Sequence, residues 1–219
     1  MPAKTKTTSA KWTKGKVKDA YIKTILLEGS RPSSVFKFAD DLGIPESEFY
    51  TFYSSFEAIE NAVFEDMMAE TLKSIRSDAA YAEFSAQEKL LTFYFAHLQV
   101  LKERRSLLAM KWPELKKRAT TPDWLKGYKT AFRNYARTII GDAIQSDEIK
   151  ERPFLSERYD QAFWIQLMFV VDFWLKDTSS DFERTDAAVE KAVHLSFQIL
   201  GDSTIDSIVD FAKFLWQSK

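Results

Sequence analysis

The sequence of 219 residues carries 31 basic and 32 acidic side chains, 45% hydrophobic residues and no cysteine. This length and composition predict a globular chain of one or two domains and exclude a disordered tail, disulfides and cysteine nucleophiles. The net charge of −1 gives no global sign of a nucleic-acid or membrane partner. Eighteen Phe, eight Tyr and six Trp with only six Gly and six Pro favour long, packed helices.

Residues 1–16 are predicted to form a flexible basic arm. Six lysines and no acidic residue occur in the first 18 positions. The segment lacks the apolar stretch of a signal peptide, so we expect no export signal and a cytoplasmic protein. Two interpretations of the arm stay open, a solvated tail and an arm that contacts phosphates.

The next segment predicts two helices punctuated by glycines. Apolar residues on one face predict a helix over 17–28, which Gly29 ends. Ser33 or Ser34 is a suitable N-cap for a short second helix, which Gly43 ends.

A third short helix is predicted over 46–53, with Pro45 beside its first turn. Two short helices joined by a tight glycine turn within a three-helix unit are typical of a helix-turn-helix, whose second helix enters the DNA major groove.

The remaining chain is predicted to be entirely helical. Helices are expected at about 56–77, 87–104, 107–112, 122–145, 156–176, 185–200 and 203–217, with a break at Pro113 and a loop over 146–156. The prediction is therefore an all-α chain of nine or ten helices.

The stretch from Gly29 to Glu57 resembles the DNA-binding region of TetR-type transcriptional regulators. The positions that match the family pattern are Gly29, Ser33, Ser34, Ala39, Gly43, Phe49, Tyr50, Tyr53 and Glu57. The resemblance implies a helix-turn-helix DNA-binding domain over 17–58 and a larger helical ligand-binding and dimerisation domain over 59–219. It also implies phosphate contacts by Ser33, Ser34 and Tyr50, with the polar Lys37, Ser47 and Thr51 near the groove of operator DNA.

Three features depart from this pattern. Phe56 occupies a position where family members usually carry lysine, and the predicted recognition helix contains Glu46 and Glu48 but no basic residue. Residues 19–57 hold three basic and seven acidic side chains, an unfavourable balance for binding a polyanion that only the lysine arm offsets.

The predicted helix over 156–176 is apolar nearly all round, so every face of it needs a cover. We predict that a second copy covers one face in a two-fold homodimer, where the resemblance implies a four-helix interface. The predicted interface residues are Phe163, Leu167, Val170, Trp174, Ala188, Ala192, Leu195 and Ile199. The alternative is that both helices are internal core.

Aromatic and soft side chains in the C-terminal part are candidates for an apolar ligand pocket. They are Tyr94, His97, Met110, Trp112, Tyr128, Phe132, Trp164 and Met168. Aromatic residues at helical spacing are also typical of packed core, and this alternative stays open.

No recognisable catalytic, phosphate-binding or metal-binding motif occurs in the sequence, which predicts that the protein is not an enzyme and has no cofactor. The longest apolar run, 162–175, is shorter than the roughly 20 residues of a membrane span, so no membrane partner is expected. The predicted function is a ligand-responsive transcriptional regulator, a repressor, that binds a palindromic operator as a homodimer and is released by an apolar small molecule. The alternative is a dimeric ligand-binding or protein-interaction module of the same fold without specific DNA binding.

Overall fold

The computed structural model describes residues 12–116, 120–152 and 155–201. These residues form nine α-helices and three short 3-10 turns, without any strand. The all-α prediction is confirmed. The chain divides into two compact units, one that ends at Val63 and one that begins at Phe64.

The helices follow one another with short connections. The first unit contains α1 (Lys14–Glu28), α2 (Val35–Leu42), α3 (Glu46–Phe52) and the first turns of α4 (Phe56–Arg76). The second contains the rest of α4, then α5 (Ala86–Lys102), α6 (Arg105–Lys116), α7 (Asp123–Gln145), α8 (Tyr159–Lys176) and α9 (Glu183–Gly201). The 3-10 turns are Ala79–Glu83, Ser156–Arg158 and Ser180–Phe182. The helix predicted over 203–217 lies outside the described residues.

Helix α1 begins earlier than the sequence pattern indicates. The Thr13 side chain accepts a hydrogen bond from the Lys16 backbone N–H at 3.3 Å and caps the helix. Lys14 and Lys16 therefore belong to the first helical turn, which corrects the prediction of a flexible arm for residues 14–16. Residues 1–11 of the predicted arm lie outside the described residues.

The predicted helix ends of the helix-turn-helix are confirmed. Gly29 and Gly43 adopt left-handed backbone conformations with φ of 70° and 69°, which cost glycine less than other residues. Ser34, rather than Ser33, is the N-cap of α2, and its Oγ accepts a hydrogen bond from the Lys37 backbone N–H at 3.1 Å.

Four aromatic rings form the core of the first unit. Phe56 stacks on Tyr21 with ring centroids 5.1 Å apart. Its edge contacts with Phe38 and Phe49 have centroid distances of 5.7 and 5.9 Å. The residue that departs from the family pattern thus joins α1, α2 and α3 to the start of α4.

A buried carboxylate ties the α1–α2 turn to α4. Glu60 Oε1 accepts hydrogen bonds from the Tyr21 hydroxyl at 2.8 Å and from Arg31 Nε at 2.9 Å. Arg31 also forms an ion pair with Glu57. Burial and the charge of Glu60 raise the pKa of Tyr21, so this hydroxyl remains a donor.

The second unit is built on contacts of α8 and α5. Helix α8 packs against α6, α7 and α9, and α5 packs against α7 and α9. The buried Asp160 at the start of α8 accepts two hydrogen bonds from Arg133 of α7 and pairs with Arg137 Nε at 2.8 Å. None of the helices in the described residues is long and apolar enough to cross a membrane.

The predicted break at Pro113 is wrong, because α6 continues through this residue to Lys116. Proline removes one backbone hydrogen bond and crowds the preceding turn. Here it lies in the last turn of α6, and the buried Leu108 and Trp112 anchor the helix before it.

We predict that Phe56→Ala lowers the free energy of unfolding by about 2 kcal/mol, less than for a fully buried ring because Phe56 is half-buried. Urea unfolding followed by circular dichroism measures this loss. Phe36→Ala is the matched control, since the Phe36 side chain is 65% exposed in the same unit, and we expect a change below about 0.5 kcal/mol. Equal effects of both substitutions would contradict the assigned core.

Candidate functional site

The polar residues predicted to contact DNA lie on α2 and α3 of the first unit. Ser33 and Ser34 precede α2, Lys37 lies in its first turn, and Ser47, Tyr50 and Thr51 lie on α3. All six side chains are exposed. The helix-turn-helix therefore leaves these donors and acceptors accessible, while its aromatic residues form the core.

Neighbouring acids partly occupy these polar groups. Lys37 Nζ lies 2.8 Å from Asp41 Oδ2, and this hydrogen bond raises the pKa of Lys37. The Tyr50 hydroxyl donates to Glu46 at 3.3 Å. A phosphate contact of Lys37 thus requires an exchange of partners, from the Asp41 carboxylate to the nucleic acid.

A cleft of about 490 Å³ opens in the second unit. Its walls come from α6, the segment before α7, α7 itself and α8. The lining residues are Trp112, Leu115, Thr120, Thr121, Pro122, Leu125, Trp164, Ile165, Met168, Phe169 and Asp172. The cleft is mainly apolar, with two threonines and one carboxylate, and it has the size of small-molecule pockets.

The eight predicted ligand residues lie in different places: three line the cleft, one is half-buried outside it, and four are in the core. Trp112, Trp164 and Met168 line the cleft, as an apolar pocket needs. Met110 is half-buried on α6 and does not line it. Where the pocket lies remains a prediction that a ligand complex must test.

The other four predicted ligand residues, Tyr94, His97, Tyr128 and Phe132, are buried core. His97 Nδ1 lies 2.7 Å from Thr71 Oγ1 of α4, and His97 Nε2 forms a short hydrogen bond with the Tyr128 hydroxyl of α7. The Tyr94 hydroxyl donates to Gln166 Oε1 at 2.9 Å. The polar groups of Tyr94, His97 and Tyr128 have partners within the chain. None of the four residues lines the cleft, and a ligand contact by any of them stays a prediction.

Sequence reasoning missed one wall of the cleft. Thr121 and Pro122 precede α7, and Leu125 and the half-buried Lys129 follow one turn apart on it. The Lys129 side chain reaches two lining residues, because Nζ donates to Thr121 Oγ1 at 3.3 Å and lies 5.4 Å from the centre of the Trp164 ring. The signal in the sequence was the i, i+4 spacing of Leu125 and Lys129, which places both side chains on the same face of α7.

The exposed face of α8 differs from the predicted dimer face. Phe163, Leu167, Val170 and Trp174 are all buried inside the second unit, so the interface prediction is wrong for these four. The exposed apolar residues are Ile165 and Phe169 on α8 and Leu195 and Ile199 on α9. Ala188 and Ala192 are half-buried, and the α9 part of the predicted interface stays a prediction.

Within the described ranges, no group of three or more His, Asp or Glu side chains is arranged to hold a metal ion.

The family comparison identifies the second unit. Residues 89–215 match the model of the tetracyclin repressor-like C-terminal domain. The chain therefore belongs to the TetR family of transcriptional regulators. No curated protein matches the chain in sequence.

Solved structures share the fold across most of the chain. The fatty acid degradation regulator FadR from Bacillus halodurans is 20% identical, with a TM-score of 0.60 and coverage of 84% of this chain and 98% of its own. FadR from Bacillus subtilis, solved in complex with stearoyl-CoA, is 22% identical, with a TM-score of 0.57 and coverage of 85% and 97%. A Shewanella sp. PV-4 protein assigned to the TetR family is 12% identical, with a TM-score of 0.62 and coverage of 87% and 98%.

We predict that the buried His97 makes stability depend on pH. Burial lowers its pKa to about 3, so the folded protein keeps the ring neutral while the unfolded chain binds a proton below about pH 6.5. The free energy of unfolding therefore decreases as the pH falls from about 6.5 towards 3, by up to about 1.4 kcal/mol per unit.

Urea unfolding between pH 7 and 4.5 measures this dependence. His97→Gln should remove the contribution of this ring, while His194→Gln should retain it because His194 is exposed. The assignment fails if the wild type and His97→Gln show the same pH slope.

Proposed function

We propose that this TetR-family regulator is a repressor that binds a palindromic operator as a homodimer and is released by an apolar small molecule. Its activity is regulatory rather than enzymatic and takes place in the cytoplasm. The observation that carries the proposal is the exposed polar surface of α2 and α3, because a helix-turn-helix reads base edges with the second of these helices.

The contacts divide by chemistry. The Ser33, Ser34 and Tyr50 hydroxyls and the Lys37 ammonium are donors suited to phosphate oxygens, which fix position and orientation on DNA. Ser47 and Thr51 on α3 are exposed, and short hydroxyl side chains in the groove contact base edges. The proposed positioning contacts thus come mainly from the start of α2, and the proposed readout comes from α3.

The cleft supports regulation by an apolar effector. Its aromatic and aliphatic walls favour a ligand with a substantial apolar body. The Bacillus subtilis FadR neighbour was solved with stearoyl-CoA, so compounds with an acyl chain are the first class to test.

The contacts of the cleft wall support a route to α4. Trp164 lies with its ring centre 6.0 Å from that of Tyr128, and Tyr128 is bonded through His97 to Thr71 of α4. A ligand that displaces Trp164 therefore disturbs a hydrogen-bonded chain that ends on α4. Since α4 begins in the first unit, we propose that its movement changes the DNA affinity.

We predict that Lys37→Ala weakens specific DNA binding about fivefold to tenfold and reduces the salt dependence by about one phosphate contact. The specific sequence is first selected from a random duplex pool. Mobility-shift titrations at several salt concentrations, with scrambled DNA as competitor, then measure affinity and slope. Lys23→Ala is the matched control, an exposed lysine of the same unit on α1, and should change neither quantity.

A second candidate function is favoured by the acids around the predicted contacts. Glu46 and Glu48 begin α3, and Phe56 is used in the aromatic core. These features fit a helical ligand-binding or protein-interaction module without specific DNA binding. Failure of the selection to enrich any sequence over scrambled DNA would favour this function over the repressor.

The homodimer proposal rests on the exposed apolar residues of α8 and α9. Ile165 and Leu195 are 61% and 54% exposed, and Phe169 and Ile199 follow them one turn later on their helices. Apolar side chains concentrated on two neighbouring helices are typical of an association surface, and a two-fold axis lets the same patch cover itself.

We predict that Leu195→Glu converts the dimer to a monomer, with the dissociation constant raised at least about 100-fold because two charges enter an apolar interface. Sedimentation velocity over a concentration series measures the shift. Thr130→Glu, an exposed substitution on α7, should leave the association unchanged. A wild-type protein that sediments as a monomer at all concentrations contradicts this proposal.

A further inference from the structure

The cleft of the second unit has charged groups at or beside two separate places along α8. Asp172 lies among the lining residues, whereas Lys129 of the neighbouring helix does not line the cleft itself but contacts two residues that do, Thr121 and Trp164. Trp164 and Asp172 are eight residues apart on one helix, which corresponds to about 12 Å. One end of the cleft therefore lies next to a cation, and the other end carries an anion.

The two charges differ in their partners. Asp172 forms an ion pair with Lys176, one turn later on the same helix. Lys129 forms no ion pair with any side chain in the described parts of the chain, and its Nζ contacts only the Thr121 hydroxyl and the face of the Trp164 ring. The cation, rather than the anion, is the group that an incoming ligand can neutralise.

From this asymmetry we infer that Lys129 and Thr121 bind the anionic head of an amphipathic ligand whose apolar body lies along Trp164, Met168 and Phe169. The inference rests on the proposed function, since it specifies the effector of the same cleft. The ligand class is a carboxylate with an apolar chain or ring system.

The chemistry of the two residues fits such a head group. The Lys129 ammonium has three donors, of which one is directed to Thr121, so a carboxylate oxygen can join without breaking this bond. The Thr121 hydroxyl is itself a donor. Lys129 is half-buried, and charge-assisted hydrogen bonds are stronger where water is partly excluded.

The same arrangement disfavours a cationic ligand. A positive head at Asp172 would have to displace Lys176 from its ion pair, and a positive head at Trp164 would meet the ammonium of Lys129. An anion at Lys129 displaces no charged partner. Asp172 in turn repels a negative group at the other end of the cleft. An amphipathic acid should therefore bind with its carboxylate at Lys129 and its apolar end towards Asp172.

The test uses the full-length protein with decanoate and decan-1-ol, two probes of equal chain length that differ in charge. Isothermal titration calorimetry below the micelle concentration measures both dissociation constants. We expect decanoate to bind at least about tenfold more tightly than decan-1-ol. Lys129→Met keeps the aliphatic stem and should weaken decanoate binding about tenfold while decan-1-ol binding stays unchanged.

Lys126→Met is the matched control, an exposed lysine one turn earlier on α7 that pairs with Asp123. It should change neither dissociation constant. Equal binding of decanoate and decan-1-ol to the wild type, or an equal loss of both in Lys129→Met, overturns the anion site while leaving the apolar effector site of the proposed function intact. Failure of the wild type to bind either probe overturns both.

Decanoyl-CoA, as a third probe, distinguishes a free carboxylate from the phosphates of a thioester. The acyl chain is the same, but the thioester carbonyl has no charge. Loss of decanoate affinity in Lys129→Met with unchanged decanoyl-CoA affinity supports the carboxylate head. A loss confined to decanoyl-CoA assigns Lys129 to the phosphates and overturns the carboxylate.

Discussion

Helix α8 is apolar on nearly all sides, and the second unit is organised by the need to cover it. Three neighbouring helices bury the face that carries Phe163, Leu167 and Trp174. The single chain leaves Ile165 and Phe169 exposed in the described structure. Both residues also line the cleft. One face of α8 is thus buried in folding, and the other leaves an apolar surface for the proposed ligand and the proposed second copy.

A similar competition acts at Phe56 in the first unit. One side chain cannot both stack on Tyr21 in the core and contact a phosphate from the surface. Phenylalanine at this position stabilises the junction of the short helices with α4, and the hydrogen bond between Arg31 and Glu60 reinforces this junction. The consequence is electrostatic, because Phe56 adds no positive charge, and the proposed DNA contacts then depend on Lys37, the hydroxyl groups and the lysines near the N-terminus.

Local signals in the sequence were sufficient for the helix ends. Gly29, Ser34 and Gly43 have their predicted roles because caps depend on a few adjacent atoms. The buried face of α8 could not be predicted in the same way. Hydrophobic periodicity identifies the buried face of a helix only when the opposite face is polar, and α8 has no polar face. The partners of His97 and Tyr128 could not be predicted for a related reason: a polar group on an apolar face has the same pattern whether it meets a ligand or, as here, another side chain.

In the proposed mechanism, the buried hydrogen bonds of His97 link the effector cleft to α4. A ligand changes an equilibrium only by its difference in affinity for two conformations. In the proposed switch, a molecule that fits the cleft without moving Trp164 has no difference in affinity to exploit and should leave DNA affinity unchanged. A molecule that displaces Trp164 must disturb Tyr128, and the neutral His97 ring then loses its hydrogen-bond partner. This loss is costly because the ring nitrogen is buried. In the proposed switch, His97 follows Tyr128 to keep that bond, and its Nδ1 contact with Thr71 transmits the movement to α4. Effectors should therefore be distinguished by the volume they place against Trp164 as well as by their charge.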